Sequence, residues 1–458
     1  MSSGEPGRAI YAQSDSTRFA TTETRMFDEH IFTDNYRDTP YWWDTTLPPQ
    51  VSAQTLPPKT DVAIIGSGYT GLCAAIQTAR GGLKTIVLDS DRLGWGASSR
   101  NGGQVSNLLK PSLGDLTRKY GSEKAFSILR EGHNSLSFLR EFITDERFDC
   151  DLRLNGKFRG AHSPAQYEAM AKKYASQTKG LEIDAYMVPK SEQRTEIGTD
   201  AYYGGAVLGQ HFALNPAKYH GELLKLASSS GVTLISNCGV KGISRQAGQF
   251  RLHTPEGALL AREVIIATSG YTGKVTPWLR RRIIPIGSYM IATEELPTAM
   301  IDELFPKDRI VTDSRRLVYY YRASPDRRRI LFGGRVAVAE TNTRISAGLL
   351  RAELVKLFPK IENVKVSHSW MGFVDFTFDS MPHLGKHEGI HYALGYCGSG
   401  IALASYLGTR IGQQVLGKPE GKTALDRTNF STRPFYSGNP WFLSSAALYY
   451  RWLDKSDR

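Results

Sequence analysis

The residues of this chain whose types and spacing could do chemistry are, first, glycines. Gly66, Gly68 and Gly71 in "DVAIIGSGYTGLCAAIQTARGGLKTIVLDS" (Asp61 to Ser90) have the spacing GxGxxG. The first glycine turns a strand into a helix, the second lets a pyrophosphate approach bare backbone, and the third lets helix and strand pack closely. Tyr69 and Thr70 then fall in the first helical turn, where free amides and the helix dipole attract phosphate. Asp89, with Ser90 next to it, closes the next apolar run, the position from which a carboxylate accepts ribose hydroxyls. The unit fits a dinucleotide.

The segment after Asp89 narrows the ligand. "DRLGWGASSRNGGQ" sets Gly94, Gly96, Gly102 and Gly103 among Ala97, Ser98, Ser99, Arg100, Asn101 and Gln104, whereas a nicotinamide domain normally continues into another helix. Far along the chain, "GYCGSGIALAS" places Gly395, Gly398, Ser399, Gly400 and Ile401 at the start of a second helix. A flavin uses both ends: its diphosphate sits at the first helix, and negative charge at the pyrimidine edge of the reduced ring is stabilised by the second helix dipole. GxGxxG in this strand–helix context occurs once, so no second dinucleotide site is evident.

These loops need elements to hold them. At 458 residues the chain is long for one core, and 41% hydrophobic with 22% charged residues is ordinary for a globular enzyme. The formal charge of +12 favours acidic partners, but the runs Arg280–Arg282 and Arg327–Arg329 lack the interleaved aromatics of a nucleic-acid groove. Cys73, Cys150, Cys238 and Cys397 form no CxxC, which argues against a zinc site or a disulfide framework and suits a reducing cytoplasm. The first thirty residues have no apolar signal core, and no run of about 18 apolar residues occurs, so neither secretion nor a membrane span is expected.

Patterning predicts an α/β fold: a Rossmann-like domain into which a mixed β-sheet domain is inserted twice. Residues 1–35 read as a loose arm, and Tyr41, Trp42 and Trp43 as a strap packed on the first domain. A helix is expected over 113–145. The nucleotide-binding domain should occupy 36–150, 214–284 and 366–430, the inserted sheet 151–213 and 285–365, and a tail 431–458.

"YWW", "GWGASSRNGGQ", "ATSGYT", "LFGGR", "WMGF...DSMPHLG" and "GYCGSGIALA" occur in that order between about Tyr41 and Leu416, and with them the chain resembles the D-amino-acid oxidase superfamily of flavoproteins, in its gamma-glutamylputrescine oxidase and L-pipecolate oxidase branch. The resemblance implies FAD on Gly66, Gly68, Gly71, Asp89, the Ser98–Gln104 loop, Val240, Thr268 to Gly270, and Gly398 to Ile401. Asp89 stands where Glu is common, Cys397 where Ser is usual and Ser399 where His is usual. The sarcosine-oxidase branch places a lysine where this chain has Ala402, and a flavin-linking cysteine before the position of Trp370, where none occurs here; the resemblance therefore implies non-covalent FAD. It also implies oxidation of an amine C–N bond, with dioxygen or another acceptor taking the electrons.

No catalytic base is required for a neutral amine, and His211, His368 and His383 are expected to be hydrogen-bonded structural residues. The inserted sheet should supply the substrate wall. In "YYYR", Tyr320 and Arg322 point to one face and Tyr319 and Tyr321 to the other, and either pair could face the flavin; Trp370 is a third wall candidate. Without the lysine, and on a basic chain, the substrate is expected to be a primary or secondary amine with a distal anion that meets an arginine such as Arg322. Two rival readings are a dehydrogenase passing electrons to a quinone or carrier, and a basic nucleic-acid-binding flavoprotein.

Overall fold

The apolar run Val62–Ile65 at the end of Lys59–Ile65 makes a central parallel strand, because Val62, Ala63 and Ile64 are buried from both sides. The computed structural model of the protein describes residues 29–46, 55–107, 109–335 and 341–457. The strand lies in a sheet ordered Gly242–Gln246, Gln249–Thr254, Gly257–Ile266, Lys59–Ile65, Thr85–Leu88, Thr233–Ile235. Gly257–Ile266 also pairs, in parallel, with Ile390–Leu394. Val62, Ile64 and Val87 pack under the helices Tyr69–Arg80, Pro216–Ser229 and Gly400–Val415. The alternate residues Ala63, Ile86 and Leu88 meet a layer containing Phe250, Leu252 and Phe430. This half is Rossmann-like, with parallel strands and a helix after the first glycine turn.

A second sheet has nine strands, in the order Phe32–Arg37, Val366–Thr377, Ile283–Thr293, Ile330–Gly334, Tyr320–Ala323, Ile310–Asp313, Lys157–Gly160, Gly205–Leu208, Ala185–Val188. It is mixed: Phe32–Arg37 runs parallel to Val366–Thr377, and Ile283–Thr293 antiparallel to it. One face buries Phe158, Tyr321 and Phe332 against Leu350, Leu354 and Phe358 of the Thr343–Leu357 helix and the turn after it. The opposite face looks toward the glycine loops.

Four sequence expectations change. Residues 1–28 lie outside the described residues, but Phe32–Arg37 is a strand rather than part of an arm, with Phe32 buried and Tyr36 bonded to Ser369 at 2.5 Å. The helix expected over 113–145 is two, Leu113–Tyr120 and Ser122–Asp145, because Gly121 adopts φ +82°. The chain leaves the nine-stranded sheet after Thr377 rather than at 366. The tail carries a helix, Leu443–Ser456, whose Asp454 and Asp457 both bond Arg316. No helix among the described residues is long and apolar enough to cross a membrane.

Candidate active site

Three backbone-rich segments converge on the face of the nine-stranded sheet. The first is the GxGxxG turn. Gly66 has φ +108°, and a Cβ there would stand 2.7 Å from the carbonyl oxygen of Ala267. A Cβ on Gly71 would collide with the Gly66 carbonyl, and one on Gly68 would meet Ser98 Oγ at 2.9 Å. Thus the first and third glycines serve packing, and the second leaves backbone open at the start of a helix. Asp89 stands where expected, and its carboxylate accepts from Ser67 N and Oγ at 2.8 and 2.5 Å. Burial raises its pKa against those bonds. His220 donates from Nε2 to the Ser67 carbonyl at 2.7 Å, and burial lowers its pKa to about 4, so the ring is neutral.

Around Asp89 the remaining candidates gather. Cys238 N donates to Asp89 O and Asn237 N to Asp91 O, which brings buried Val240 alongside, and Ser90 lies against Gly239. Thr268 comes after the strand that abuts Gly66, and its hydroxyl shares a 2.8 Å bond with Thr272. A Cβ on Gly270 would meet Phe373 at 2.9 Å, so this turn leans on Val366–Thr377.

The second segment is Gly96–Gln104, held by three indoles. Trp42 donates to Asn101 O at 2.8 Å, Trp43 to Ser99 Oγ at 2.9 Å and Trp370 to Arg100 O at 2.7 Å. Tyr69 donates its hydroxyl to Ser98 O, and Asn101 caps Ala97 O and Ser98 O. The Arg100 guanidinium lies over Trp43 and Trp95, 4.6 and 4.0 Å from the ring centroids. Gln104 reaches across to Val311 O and Tyr321 O, stitching the loop to the sheet. The expected aromatic strap therefore fastens this loop.

The third segment leads into Gly400–Val415. Gly395, Cys397 and Gly398 all have positive φ, and a Cβ on Gly398 would meet nothing within 4 Å. Asp375 is buried and accepts from Gly395 N at 2.6 Å and Tyr396 N at 3.2 Å, and burial raises its pKa to about 6. Cys397 is buried, its thiol 3.2 Å from the Gly395 carbonyl and pushed up to about 12. Ala402 is buried and Ile401 nearly so, while Gly398, Ser399 and Gly400 remain accessible. Gly66, Gly68, Gly96, Ala97, Ser98 and Met371 to Val374 are likewise half-exposed among buried neighbours. Open backbone at two helix starts, with glycines that a Cβ would fill, fits an extended dinucleotide with a flat ring at its far end.

The sheet face opposite these loops is read from register. Arg159, Thr312, Tyr320, Gly333, Met290 and Trp370 form one row across six strands, and residues in register share a face. Of the two possible pairs, Tyr320 and Arg322 face the loops, and Tyr319 and Tyr321 face the helical core. Tyr320 lies under Gly102, bonds Ser288 at 2.9 Å and is kept protonated by burial, its pKa about 12. Arg322 is 4% exposed and donates to the carbonyls of Ala323, Gly103 and Leu214, so it fastens the loop and is not presented to an anion. Trp370, 1% exposed, likewise acts as an anchor rather than a wall.

His211, His368 and His383 are bonded to Asn107, Asp44 and Asp379. Sequence reading passed over Ser288 and the cations Lys157 and Arg159, although their i, i+2 spacing in "KFRG" puts both on one strand face. A surface recess of about 420 Å³, lined by residues including Lys124, Arg130 and Thr423, shares nothing with these loops.

The chain has relatives among known proteins. The family described as "DAO: FAD dependent oxidoreductase" matches residues 61–414. The chain is 30% identical over 403 residues to the gamma-glutamylputrescine oxidoreductase of Escherichia coli, covering 86% of this chain and 93% of that protein. It is 28% identical over 403 residues to a probable oxidoreductase OrdL of Haemophilus influenzae, covering 86% of this chain and 92% of that one. The crystal structure of glycine oxidase from Geobacillus kaustophilus superposes with a TM-score of 0.69 at 20% identity, over 82% of this chain and 99% of the other.

Proposed function

Because the chain belongs to the DAO family of FAD dependent oxidoreductases, we propose that it is an amine oxidase of the gamma-glutamylputrescine oxidase kind, with a primary or secondary amine as substrate. FAD, when bound, supplies a two-electron acceptor for the hydride on the carbon that bears nitrogen. The observation that carries the reading is the pairing of two helix starts, tied through Thr70 and Tyr396, over a sheet face that presents Tyr320. The likeness to the Escherichia coli enzyme over most of both chains supports the substrate class.

Gly66, Gly68, Asp89, the Ser98–Gln104 loop, Val240 and Thr268 would hold the dinucleotide. The first turn of Gly400–Val415 would face the ring edge where negative charge grows. Tyr320, protonated and tied to Ser288, orients the amine but accepts no proton, so the substrate ammonium gives its proton to water on entry and the amine binds neutral. The imine hydrolyses to a carbonyl compound and the freed amine or ammonia, and dioxygen takes two electrons and two protons to give hydrogen peroxide. On this reading the flavin is held non-covalently, since no cysteine lies in the segment before Trp370 that carries the link in the sarcosine-oxidase branch.

The test is an anaerobic flavin-bleaching panel on FAD-loaded protein, with gamma-glutamylputrescine, pipecolate, sarcosine and D-alanine. Bleaching fastest with gamma-glutamylputrescine, and stoichiometric hydrogen peroxide in air, are expected. Bleaching without peroxide makes the protein a dehydrogenase, and no bleaching by any amine overturns the reading. Acid precipitation should leave FAD in the supernatant.

A further inference from the structure

We propose that Lys110, Lys157 and Arg159 form the receptor for a carboxylate on the substrate, at the end of the molecule away from the oxidised carbon. The inference rests on the amine-oxidase reading and adds the part of the substrate that the chain recognises.

Lys157 and Arg159 alternate with Phe158, which is fully buried in the helical core, so both cations emerge on the loop-facing side of their strand. Arg159 is in register with Thr312, and Thr312 with Tyr320, so Arg159 stands two strand spacings from Tyr320, roughly 10 Å. Lys110 arrives from the segment beyond the Ser98–Gln104 loop. Its ammonium lies 5.9 Å from the Phe376 ring centroid, on the strand whose Asp375 holds the start of the second helix. Two chain segments thus bring three cations to one end of the Tyr320 row.

None of the three has an acidic partner among the described residues. Elsewhere the protein pairs its sheltered cations: Arg315 with Asp313, Arg309 with Glu196, and Arg322 with three carbonyls. Lys157 is 7% exposed, and sheltering a charge without a counter-charge is costly unless a ligand provides one. Burial, Arg159 and Lys110 draw the Lys157 pKa down to about 7. The neighbouring His211 is neutral, its pKa near 3, and supplies no counter-charge. An anion between these groups would relieve repulsion among them and accept charge-assisted hydrogen bonds. The separation from Tyr320 selects an amine whose carboxylate is several atoms from the reacting carbon, as in a gamma-glutamyl amide, over a simple α-amino acid.

The experiment compares FAD-loaded wild type with Arg159→Gln and Lys110→Gln, using gamma-glutamylputrescine and N-acetylputrescine, which lacks the carboxylate. Anaerobic flavin reduction should show a 10- to 100-fold loss of kcat/KM for gamma-glutamylputrescine in each variant, with N-acetylputrescine changed by less than about threefold. Equal losses for the two amines, or a defect confined to reoxidation by dioxygen, overturn the receptor. Lys110 is exposed, so its variant avoids the folding risk of a core substitution. Glutarate titrated into the same proteins, read by the flavin spectrum and by calorimetry, separates the two levels of argument. If no amine reduces wild type, yet glutarate binds it and both variants lose that binding, the amine-oxidase reading fails and the anion receptor stands. Glutarate binding equally well to the variants sinks the receptor.

Discussion

Tyr396 donates its hydroxyl to Ala393 O at 3.0 Å and accepts from Thr70 Oγ1 at 2.6 Å. Through this buried bond the first turn of Tyr69–Arg80 is tied to the residue before the glycine turn of Gly400–Val415. The helices can lie this close because Gly408 and Gly412 face Thr70 and Ala74, where a Cβ on either would press on backbone. Two positive helix ends are thereby held side by side, which a molecule with anionic character at both ends requires.

Tyr396→Phe should therefore lower stability by about 1–3 kcal/mol, since Thr70 and the Ala393 carbonyl both lose a buried partner. It should weaken FAD retention as well. Thermal unfolding with and without added FAD, and the FAD dissociation constant, measure the two effects; a change in unfolding with an unchanged constant would separate the helix pair from the cofactor.

Gly68→Val is expected to yield mostly apoprotein, because its side chain would extend past Ser98 Oγ into the open backbone at the helix start. Gly408→Val, which strikes the backbone of Thr70 instead, should unfold the protein several degrees earlier whether FAD is present or not. Absorbance at the flavin band per mole of protein, alongside the melting temperature, distinguishes the two.

Arg322→Lys should lower the melting temperature and leave the KM for the amine within about threefold, since the lost contacts are to the Gly103, Leu214 and Ala323 carbonyls. A large rise in KM with no loss of stability would restore Arg322 to the substrate.

Acid should destabilise the protein in part through His220. His220 must be neutral to fit its site, and folded it takes a proton only near pH 4, whereas the unfolded chain takes one near 6.5. The unfolded state thus binds more protons between these values, so stability falls as pH drops from about 6.5 to 4. His220→Gln, which keeps a donor without a titration, should lessen that slope in unfolding curves taken across the window.

Much of this was legible in sequence. The GxGxxG unit, the two glycine loops and the hairpin that carries "YYYR" lie where pattern placed them, because glycine spacing and period-2 alternation are local signals. Alternation gave the two faces of that hairpin but could not say that Arg322 meets carbonyls contributed by Gly103 and Leu214, which are distant in the chain. Phe32–Arg37 was missed for a related reason. It shows only Phe32 and Tyr36 to the core and gains its strand character from Val366–Thr377. Lys110 and Arg159 come together only through the loop that crosses the sheet.

The pairing of Phe32 with Val366 also governs when the molecule can be completed. During synthesis at about 5–20 residues per second, the first strand of the nine-stranded sheet waits tens of seconds beyond its release for Val366–Thr377. The other sheet stays open at Gly257–Ile266 until Ile390–Leu394 emerges. A nascent chain thus exposes strand edges on both halves for most of its synthesis, and its folding rate is set by long-range closure rather than by its helices.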